Sequence, residues 1–319
     1  MKRRRFRSFA KINLGLEVVG RLGNGYHELK TLFASVSLHD VIEIAEAGTG
    51  VTVRSTHPEV PTDPTNLAGR AAVIMQGLAK RKTGLTITIH KRIAVGGGLG
   101  GGSSNAATVL RALDLMWNLG LGPKGLMHSA RSLGADVPYF LFGGPALGLG
   151  RGDDIHPLDL KLRERVLLVQ GAGGVATAAV FRRFAALGGP SKGASRIDAF
   201  LRPVGIGSSG PGRALKTLRN DLEPAALALS PNIATTARMV RQVGRATSAT
   251  QSAMSGSGSS FFLLFGDPKA ERAAAASLRA SGFEIVTCRF LSRRSYRDRF
   301  EIEGSARRPG SPRGPNFGF

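Results

Sequence analysis

The glycine-rich stretch "VGGGLGGGSSNAATV", residues 95–109, is the feature that most constrains the fold of this chain. It holds six glycines among its first eight residues. Glycine loses more backbone freedom on folding than any other residue, so such a run is costly to order. The alternating segment "GLTITIHKRIAV" before it predicts a strand, and a helical pattern follows from Ser104. Because bare backbone amides and a helix N-terminus attract anions, this arrangement predicts a phosphate-binding loop.

Three kinds of phosphate loop fit this pattern to different degrees. A Walker loop is excluded, because Ser-Ser-Asn follows the last glycine where Lys-Ser or Lys-Thr is required. The spacing Gly96-x-Gly98-x-x-Gly101 matches the dinucleotide-binding fingerprint, but no acidic residue is well placed about 20 positions later. The third kind is the loop of a small-molecule kinase, in which the hydroxyls of Ser103 and Ser104 cap the helix, bind phosphate or ligate Mg²⁺. A glycine hinge without a ligand is the structural alternative.

Composition restricts the class of protein. The chain of 319 residues is 42% hydrophobic and predicts two domains or one elaborate domain. No apolar run reaches the ~18 residues of a membrane span, and Lys11, Asn13 and Glu17 interrupt any signal-peptide core. We therefore predict a cytoplasmic protein without a membrane partner. The single cysteine, Cys288, excludes an intrachain disulfide, and its apolar surroundings predict a buried structural thiol.

The net charge of +22 raises the question of a polyanionic partner. Much of the excess is terminal, at the following residues: Lys2, Arg3, Arg4, Arg5, Arg7, Arg289, Arg293, Arg294, Arg297, Arg299, Arg307, Arg308 and Arg313. No nucleic-acid-binding motif accompanies these residues, and aromatic residues make up only 6% of the chain. We predict a basic surface that suits small anionic substrates, with no dedicated nucleic-acid partner. The oligomeric state stays open.

The order of predicted elements indicates an α+β protein. Strands and helices alternate without a repeated βαβ rhythm, which argues against a doubly wound sheet. A change in composition between residues 151 and 157 predicts a boundary, giving domains at residues 1–156 and 157–302. Residues 186–213 form a Gly- and Pro-rich insertion that we expect to be mobile, and residues 303–319 predict a disordered basic tail.

Four motifs together resemble a known family. "GGGLGGGSSNAA" resembles the phosphate loop of the GHMP kinase superfamily, whose looser theme is Gly-Leu-Gly-x-Ser-Ser-x-Ala. Within that superfamily, three further stretches resemble the 4-diphosphocytidyl-2-C-methyl-D-erythritol kinases: "AKINLGLEVVGRLGNGYHEL", "LGADVPYFLFGGPALGLGRGD" and "MSGSGSSFFLLF". Their order and spacing match that family over residues 9–296. Phe9 and Ala94 stand where many relatives carry proline, which bears on loop rigidity.

The resemblance implies a fold and a reaction. The fold is the two-domain GHMP kinase fold, with an N-terminal domain like ribosomal S5 domain 2, a ferredoxin-like C-terminal domain and a cleft between them. The reaction is phosphorylation of the 2-hydroxyl of 4-diphosphocytidyl-2-C-methyl-D-erythritol by ATP, in the non-mevalonate isoprenoid pathway. Mg²⁺ is expected with ATP, but its ligands stay open. Alternatives are a homoserine, mevalonate or sugar kinase, an RNA-binding protein, and a nicotinamide oxidoreductase.

Two residues are the catalytic candidates that the resemblance implies. Asp136, in "GADVP", is expected to accept the proton of the substrate hydroxyl, and Lys11 is expected to pair with it. From the residues alone, Asp136 could equally cap a helix that starts at "VPYFLF", and Lys11 could be solvated at a strand edge. Asn13 shares the strand face of Lys11 and should reach the same site.

The remaining site residues divide between the two substrates. The resemblance places the acceptor and its cytidine near Asn13, Tyr26, His27, Asp136, Thr177, Phe181, Gly256, Ser257 and Gly258. It places ATP near Asn66, Lys91, Val95, Gly96, Gly97, Gly98, Leu99, Gly100, Gly101, Gly102, Ser103 and Ser104. Asn220 and Asp221, in "LRNDLEP", match a family element that we expect to be structural.

Overall fold

A computed structural model describes residues 3–23, 25–171, 174–190, 193–202 and 212–302, and the side chains of residues 212 and 213 are not described. The predicted basic tail and residues 191, 192 and 203–211 of the predicted insertion lie outside these residues. In the described part of the chain, no helix combines the length and the apolar character needed to cross a membrane.

The N-terminal half is built on a long antiparallel hairpin. Its strands are β1 (Arg3–Arg21) and β2 (His27–Glu46). The other strands are β3 (Val51–Ser55), β4 (Leu85–His90), β5 (Ala146–Leu149) and β6 (Asp154–Pro157). The sheet order is β3-β4-β2-β5-β6, and β1 pairs with the other edge of β2. These six strands therefore form one sheet.

Four helices lie between strands of this sheet along the chain and pack against it. They are α1 (Leu67–Ala79), between β3 and β4, and α2 (Gly101–Trp117), α3 (Gly122–Leu133) and α4 (Val137–Phe142), between β4 and β5. Asn66 caps α1 by accepting hydrogen bonds from two backbone amides, as its side chain predicts. Helix α2 begins at Gly101, three residues before the predicted start, because the last glycines of the loop already adopt helical backbone. The apolar faces of the helices pack with strand residues such as Ile42 and Ile87.

The C-terminal half has ferredoxin-like topology. Its strands are β7 (Arg165–Val169), β8 (Gln251–Met254), β9 (Phe261–Phe265) and β10 (Ile285–Arg289). The helices are α5 (Thr177–Ala186), α6 (Arg196–Leu201), α7 (Gly212–Leu215), α8 (Glu223–Leu229), α9 (Pro231–Ala246), α10 (Pro268–Ala280) and α11 (Arg293–Asp298). The antiparallel order β10-β7-β9-β8 is the fourth, first, third and second strand of this half. That order confirms the expected fold of the half.

Strand β9 shows how the two halves join. All five of its residues are buried, because both faces of the sheet are covered. Phe261 and Leu263 pack with the helices of the C-terminal half, while Phe262 and Leu264 pack with residues of β1 and β2. The hairpin thus lies under both halves, and the cleft between them is lined by both. The strands change sheet between Pro157 and Arg165, close to the predicted boundary at residue 157, which stays a prediction.

Part of the predicted mobile insertion is docked. Helix α6 lies against the hairpin, and Ile197 is fully buried beside Gly15. The carboxylate of Glu17 accepts hydrogen bonds from the amides of Arg196 and Ile197, at 2.7 and 3.0 Å. It also accepts one from the hydroxyl of Ser195, at 2.6 Å. The expectation of a mobile segment is therefore wrong for this helix, because a buried apolar side chain and a capped helix end hold it in place.

The thiol of Cys288 lies in β10 and is 4% exposed, as its surroundings predict. Burial raises its pKa to about 11. At pH 8 the thiolate fraction is then about a thousandth, against a tenth or more for an ordinary cysteine. We expect a negatively charged aromatic disulfide reagent at pH 8 to label less than about a tenth of the native protein within an hour and all of the unfolded protein. Rapid labelling of the native protein, measured by absorbance, contradicts this.

Candidate active site

A cleft of about 600 Å³ lies between the two halves. The glycine loop forms one wall of the cleft. A second Gly- and Ser-rich turn, residues 255–259 after β8 (the second turn), lies opposite this loop. The middle of β1, the start of α4 and the start of α5 complete the boundary. Most of the predicted site residues line this cleft, although they come from segments spread over residues 11–257.

Lys11, Asn13 and Asp136 form a polar cluster in the cleft. The Lys11 ammonium donates a hydrogen bond to Asn13 Oδ1, at 2.6 Å, and lies 3.4 Å from Asp136 Oδ2. The Lys11 side chain is 4% exposed, whereas that of Asp136 is 36% exposed. The pair therefore places a carboxylate at the surface of the cleft with a buried cation behind it.

The position of Asp136 separates the two interpretations of this residue. Asp136 stands at the N-cap position of α4, yet in the described structure its side chain accepts no capping hydrogen bond. The carboxylate of Asp136 instead forms an ion pair with Lys11. The carboxylate thus retains oxygen lone pairs for a group in the cleft, which a capping aspartate lacks.

A hydrogen bond to Thr31 fixes the orientation of the Asn13 side chain. Its side-chain amide donates to Thr31 Oγ1, at 2.8 Å, and the Thr31 hydroxyl donates to the carbonyl of Gly15, at 2.9 Å. Asn13 Oδ1 is therefore turned towards Lys11. Thr31 lines the cleft and was missed by the sequence reasoning, since a threonine on a strand has no distinguishing pattern.

The glycine loop has a backbone that requires glycine at several positions. Gly96, Gly98 and Gly100 have φ values of 69°, 75° and 71°, which side chains other than glycine rarely adopt. A Cβ atom on Gly98 would overlap the carbonyl oxygen of Ser255, in the second turn. The Ser255 hydroxyl also donates to the Gly98 carbonyl, at 3.0 Å. The glycines thus allow the loop to approach this turn closely.

The loop ends at an uncapped helix. Gly100 is the N-cap of α2, and no described side chain caps this end. Residues 101–103 line the cleft there, so the positive end of a helix of 17 residues faces it. Ser104 does not line the cleft, because its buried hydroxyl donates to the carbonyl of Phe9, at 2.6 Å. Its hydroxyl is therefore turned away from the cleft.

The three predicted ATP residues outside the loop line the same end of the cleft. Val95 is 39% exposed, and Asn66 uses its side chain to cap α1 and to donate to the carbonyl of Pro61. The side chain of Lys91 is 5% exposed, and its ammonium lies 2.5 Å from Asp40 Oδ2. Asp40, fully buried, was missed by the sequence reasoning, although a carboxylate inside the apolar strand "SLHDVIEI" is a signal for a buried partner.

Among the predicted cytidine residues, Thr177 and Phe181 line the cleft, whereas Tyr26 and His27 do not. The His27 and Phe181 rings stack, with centroids 4.7 Å apart and an angle of 20°. Burial, with a smaller contribution from the charge of Arg21, lowers the pKa of His27, so its neutral form is favoured. Thr177 Oγ1 lies 2.9 Å from Ser257 Oγ.

Tyr26 is arranged differently from His27. It is 58% exposed, and the Arg151 guanidinium lies over its ring, 5.4 Å from the centroid. Arg151 lines the cleft and donates to Asp153 Oδ2, at 2.6 Å. Arg151 is a further residue that the sequence reasoning missed, because it was assigned only to a domain boundary.

Comparisons with known proteins agree with this geometry. The family description "GHMP kinases N terminal domain" matches residues 66–144, and "GHMP kinases C terminal" matches residues 208–283. A protein of Pelotomaculum thermopropionicum is 36% identical over 286 residues, 89% of this chain and 97% of the relative. One of Geobacter sp. (strain M21) is 39% identical over 280 residues, 87% and 95% of the two chains. Both are named 4-diphosphocytidyl-2-C-methyl-D-erythritol kinase. The chain belongs to this kinase family.

Solved structures support the same assignment. The crystal structure of a 4-(cytidine 5'-diphospho)-2C-methyl-D-erythritol kinase is 34% identical, with a TM-score of 0.72, over 90% of this chain and 98% of that one. A homoserine kinase from Cytophaga hutchinsonii has a TM-score of 0.67 at 15% identity, over 91% and 98% of the two chains, and shows the fold alone. The protein is thus an ATP-dependent small-molecule kinase with the two-domain α+β GHMP fold.

In this diphosphocytidyl methylerythritol kinase family member, the second turn is fixed by the "NDLE" element. Asn220 donates through its side-chain amide to the carbonyls of Met254 and Gly256, at 2.9 and 2.7 Å. Glu223 accepts from the amide of Met254, at 3.2 Å. Asn220 therefore has a structural role, as predicted. Gly256 lines the cleft, whereas Gly258 packs near Met254 and does not.

Proposed function

We propose that this kinase transfers the γ-phosphoryl group of ATP to the 2-hydroxyl of 4-diphosphocytidyl-2-C-methyl-D-erythritol. The observation that carries the proposal is the Lys11–Asn13–Asp136 cluster, which faces the glycine loop across one cleft. Membership of the family supports the choice of acceptor. The step would belong to the non-mevalonate route to isoprenoid precursors.

The cluster suits proton removal from an alcohol. The carboxylate of Asp136 would accept the proton of the 2-hydroxyl as that oxygen attacks the γ-phosphorus. The Lys11 ammonium holds this carboxylate and would offset negative charge near the attacking oxygen. Asn13, held by Thr31, keeps Lys11 in place. Each group therefore has a task that its contacts allow.

The glycine loop and the end of α2 would bind the triphosphate of ATP. Among the described residues, no group of three or more His, Cys, Asp or Glu side chains is placed to hold a metal ion. Ser103 and Asp136 still line the cleft and offer hard oxygen donors, which fit Mg²⁺ shared with phosphate oxygens. When bound, Mg²⁺ would neutralise phosphate charge.

The other end of the cleft would bind the cytidine diphosphate. The exposed ring of Tyr26 offers a stacking face, and the neutral His27 beside Phe181 can donate and accept hydrogen bonds at the edge of the base. Thr177 and Ser257 present hydroxyls nearby. The charge of Arg151 suits an anionic substrate.

The test is release of ADP from ATP in the presence of candidate acceptors. We expect turnover with 4-diphosphocytidyl-2-C-methyl-D-erythritol at least a hundredfold above that with homoserine, mevalonate or a sugar. Preference for one of the others, or no turnover with any, overturns the proposal. RNA affinity, measured on the full chain and on residues 1–302, tests the RNA-binding alternative, and NAD(P)H binding tests the oxidoreductase alternative.

Replacing Tyr26 by alanine should raise the KM for the acceptor about tenfold or more, because base–aromatic stacking contributes about 1–3 kcal/mol. The KM for ATP should stay within threefold. Leu187→Ala, at an exposed apolar residue after α5, is the control and should change neither constant. Steady-state kinetics with each substrate varied measures both, and equal rises in the two KM values for Y26A contradict cytidine stacking.

The proposal includes a cytoplasmic location, supported by relatives that are named as kinases of a small metabolite. It also keeps the domain division at residues 1–156 and 157–302, supported by the change of sheet between Pro157 and Arg165.

A further inference from the structure

Asp40 is a fully buried carboxylate in β2 that binds three donors. Asp40 Oδ1 accepts hydrogen bonds from the amides of Arg92 and Ile93, at 2.7 and 2.9 Å. Asp40 Oδ2 accepts one from the Lys91 ammonium, at 2.5 Å. A buried carboxylate without such partners would be strongly unfavourable, so these contacts explain why it is tolerated.

The three donors belong to the segment that enters the glycine loop. Residues 91–93 follow β4 and precede the first glycine, so the two amide hydrogen bonds fix the direction in which the chain enters the loop. The segment has no strand partners there, and the carboxylate of Asp40 supplies the acceptor that a neighbouring strand would otherwise provide.

The third donor reaches the other end of the loop. A Cβ atom on Gly101, the first residue of α2, would lie 2.6 Å from the Lys91 ammonium and 3.1 Å from the Ile93 side chain. The ammonium therefore lies beside the start of α2, where a Cβ atom at residue 101 would displace it. Lys91 also lines the cleft. The carboxylate of Asp40 thus contacts the entry of the phosphate loop directly and its exit through Lys91.

We propose that Asp40 is a positioning residue for ATP, which acts by holding Lys91 against the start of α2 and residues 92 and 93 at the entry of the glycine loop. The backbone amides that would face the triphosphate are thereby kept in place, and the positive charge of Lys91 is held beside them. This inference rests on the proposed binding of ATP at the glycine loop and not on the identity of the acceptor.

The test is ATP binding measured by calorimetry, without acceptor, on the wild type, Asp40→Asn, Lys91→Met and the double variant. D40N keeps the shape of the side chain and should raise the Kd for ATP about tenfold or more, because small misplacements of binding groups are costly. The double variant should bind within threefold of K91M, since the two residues act as a unit. In kinetics, D40N should raise the KM for ATP and leave the KM for the acceptor within threefold.

Glu271→Gln is the matched control. Glu271 is a carboxylate 2% exposed that pairs with Arg165, in the C-terminal half and outside the cleft. Its replacement should lower the melting temperature as D40N does but leave ATP binding unchanged. This control therefore distinguishes a loss of stability from a loss of ATP affinity. If D40N does not fold, the double variant, which leaves no unpaired buried charge, replaces it.

The inference is overturned by a D40N variant that binds ATP as tightly as the wild type, by equal rises in both KM values, or by a double variant that binds ATP as the wild type does. Effects of D40N and K91M that simply add also overturn it. A wild type that binds no ATP overturns the proposed function as well. A wild type that binds ATP but phosphorylates none of the acceptors overturns only the proposed acceptor.

Discussion

Replacing Asp136 by asparagine should abolish turnover while leaving the Kd for ATP within threefold of the wild-type value. The amide keeps the size of the side chain but cannot accept the proton of the attacking hydroxyl. General-base catalysis contributes about a hundredfold to ten-thousandfold, so kcat should fall by at least about a hundredfold. ATP binding should persist, because the glycine loop and the end of α2 do not depend on this carboxylate for a cap.

Asp154→Asn is the control for this variant. Asp154 is an exposed carboxylate that pairs with His156 outside the cleft. The control should retain wild-type kcat. Release of ADP measures turnover, and calorimetry measures ATP binding. A D136N variant with kcat within tenfold of the wild type means that Asp136 is not the general base.

Replacing Gly98 by alanine should remove most of the ATP affinity. The positive φ of 75° is unfavourable for alanine by about 1–2 kcal/mol. The added methyl group would also overlap the carbonyl oxygen of Ser255, a backbone atom that cannot move independently. The loop must then separate from the second turn, and we expect the Kd for ATP to rise at least about a hundredfold.

Gly102→Ala is the control for folding. Gly102 lies in α2, and the nearest atom to its added Cβ is Leu67 Cδ1, 3.9 Å away. This variant should melt at or slightly above the wild-type temperature, because alanine is favoured over glycine in a helix by about 1 kcal/mol. G98A should melt lower. Wild-type ATP affinity in G98A, measured by calorimetry, would falsify the requirement for glycine at this position.

Local sequence signals predicted many elements but not all their boundaries. Asn66 caps α1 through a contact between neighbours in the chain, which is a feature that local sequence can predict. The start of α2 was placed too late, since glycine gives no helical signal even where the backbone is helical. The docking of α6 was missed, because Glu17 and Ile197 lie far apart in the chain and only the fold brings them together.

The site residues also divide into those whose contacts local sequence predicts and those that only the fold brings together. Lys11 and Asn13 share a strand face, so their contact follows from a spacing of two residues. The pairing of Lys11 with Asp136 was expected only from the resemblance to a family. Ser104 was expected at the phosphates, but its hydroxyl turns inward because Phe9 offers a carbonyl there. Which of two adjacent serines faces the cleft depends on the packing of β1 against α2.

By itself, the sequence determined that the chain carries a glycine loop between a strand and a helix, that it has one buried cysteine, and that its motifs match one kinase family. These conclusions need only the order of residues and their local preferences. Tertiary structure alone decided that Asp40 holds Lys91 beside Gly101, that His27 stacks on Phe181, and that Gly98 lies against the second turn. These contacts join residues far apart in the chain, and their geometry is fixed only when the two halves pack around the hairpin.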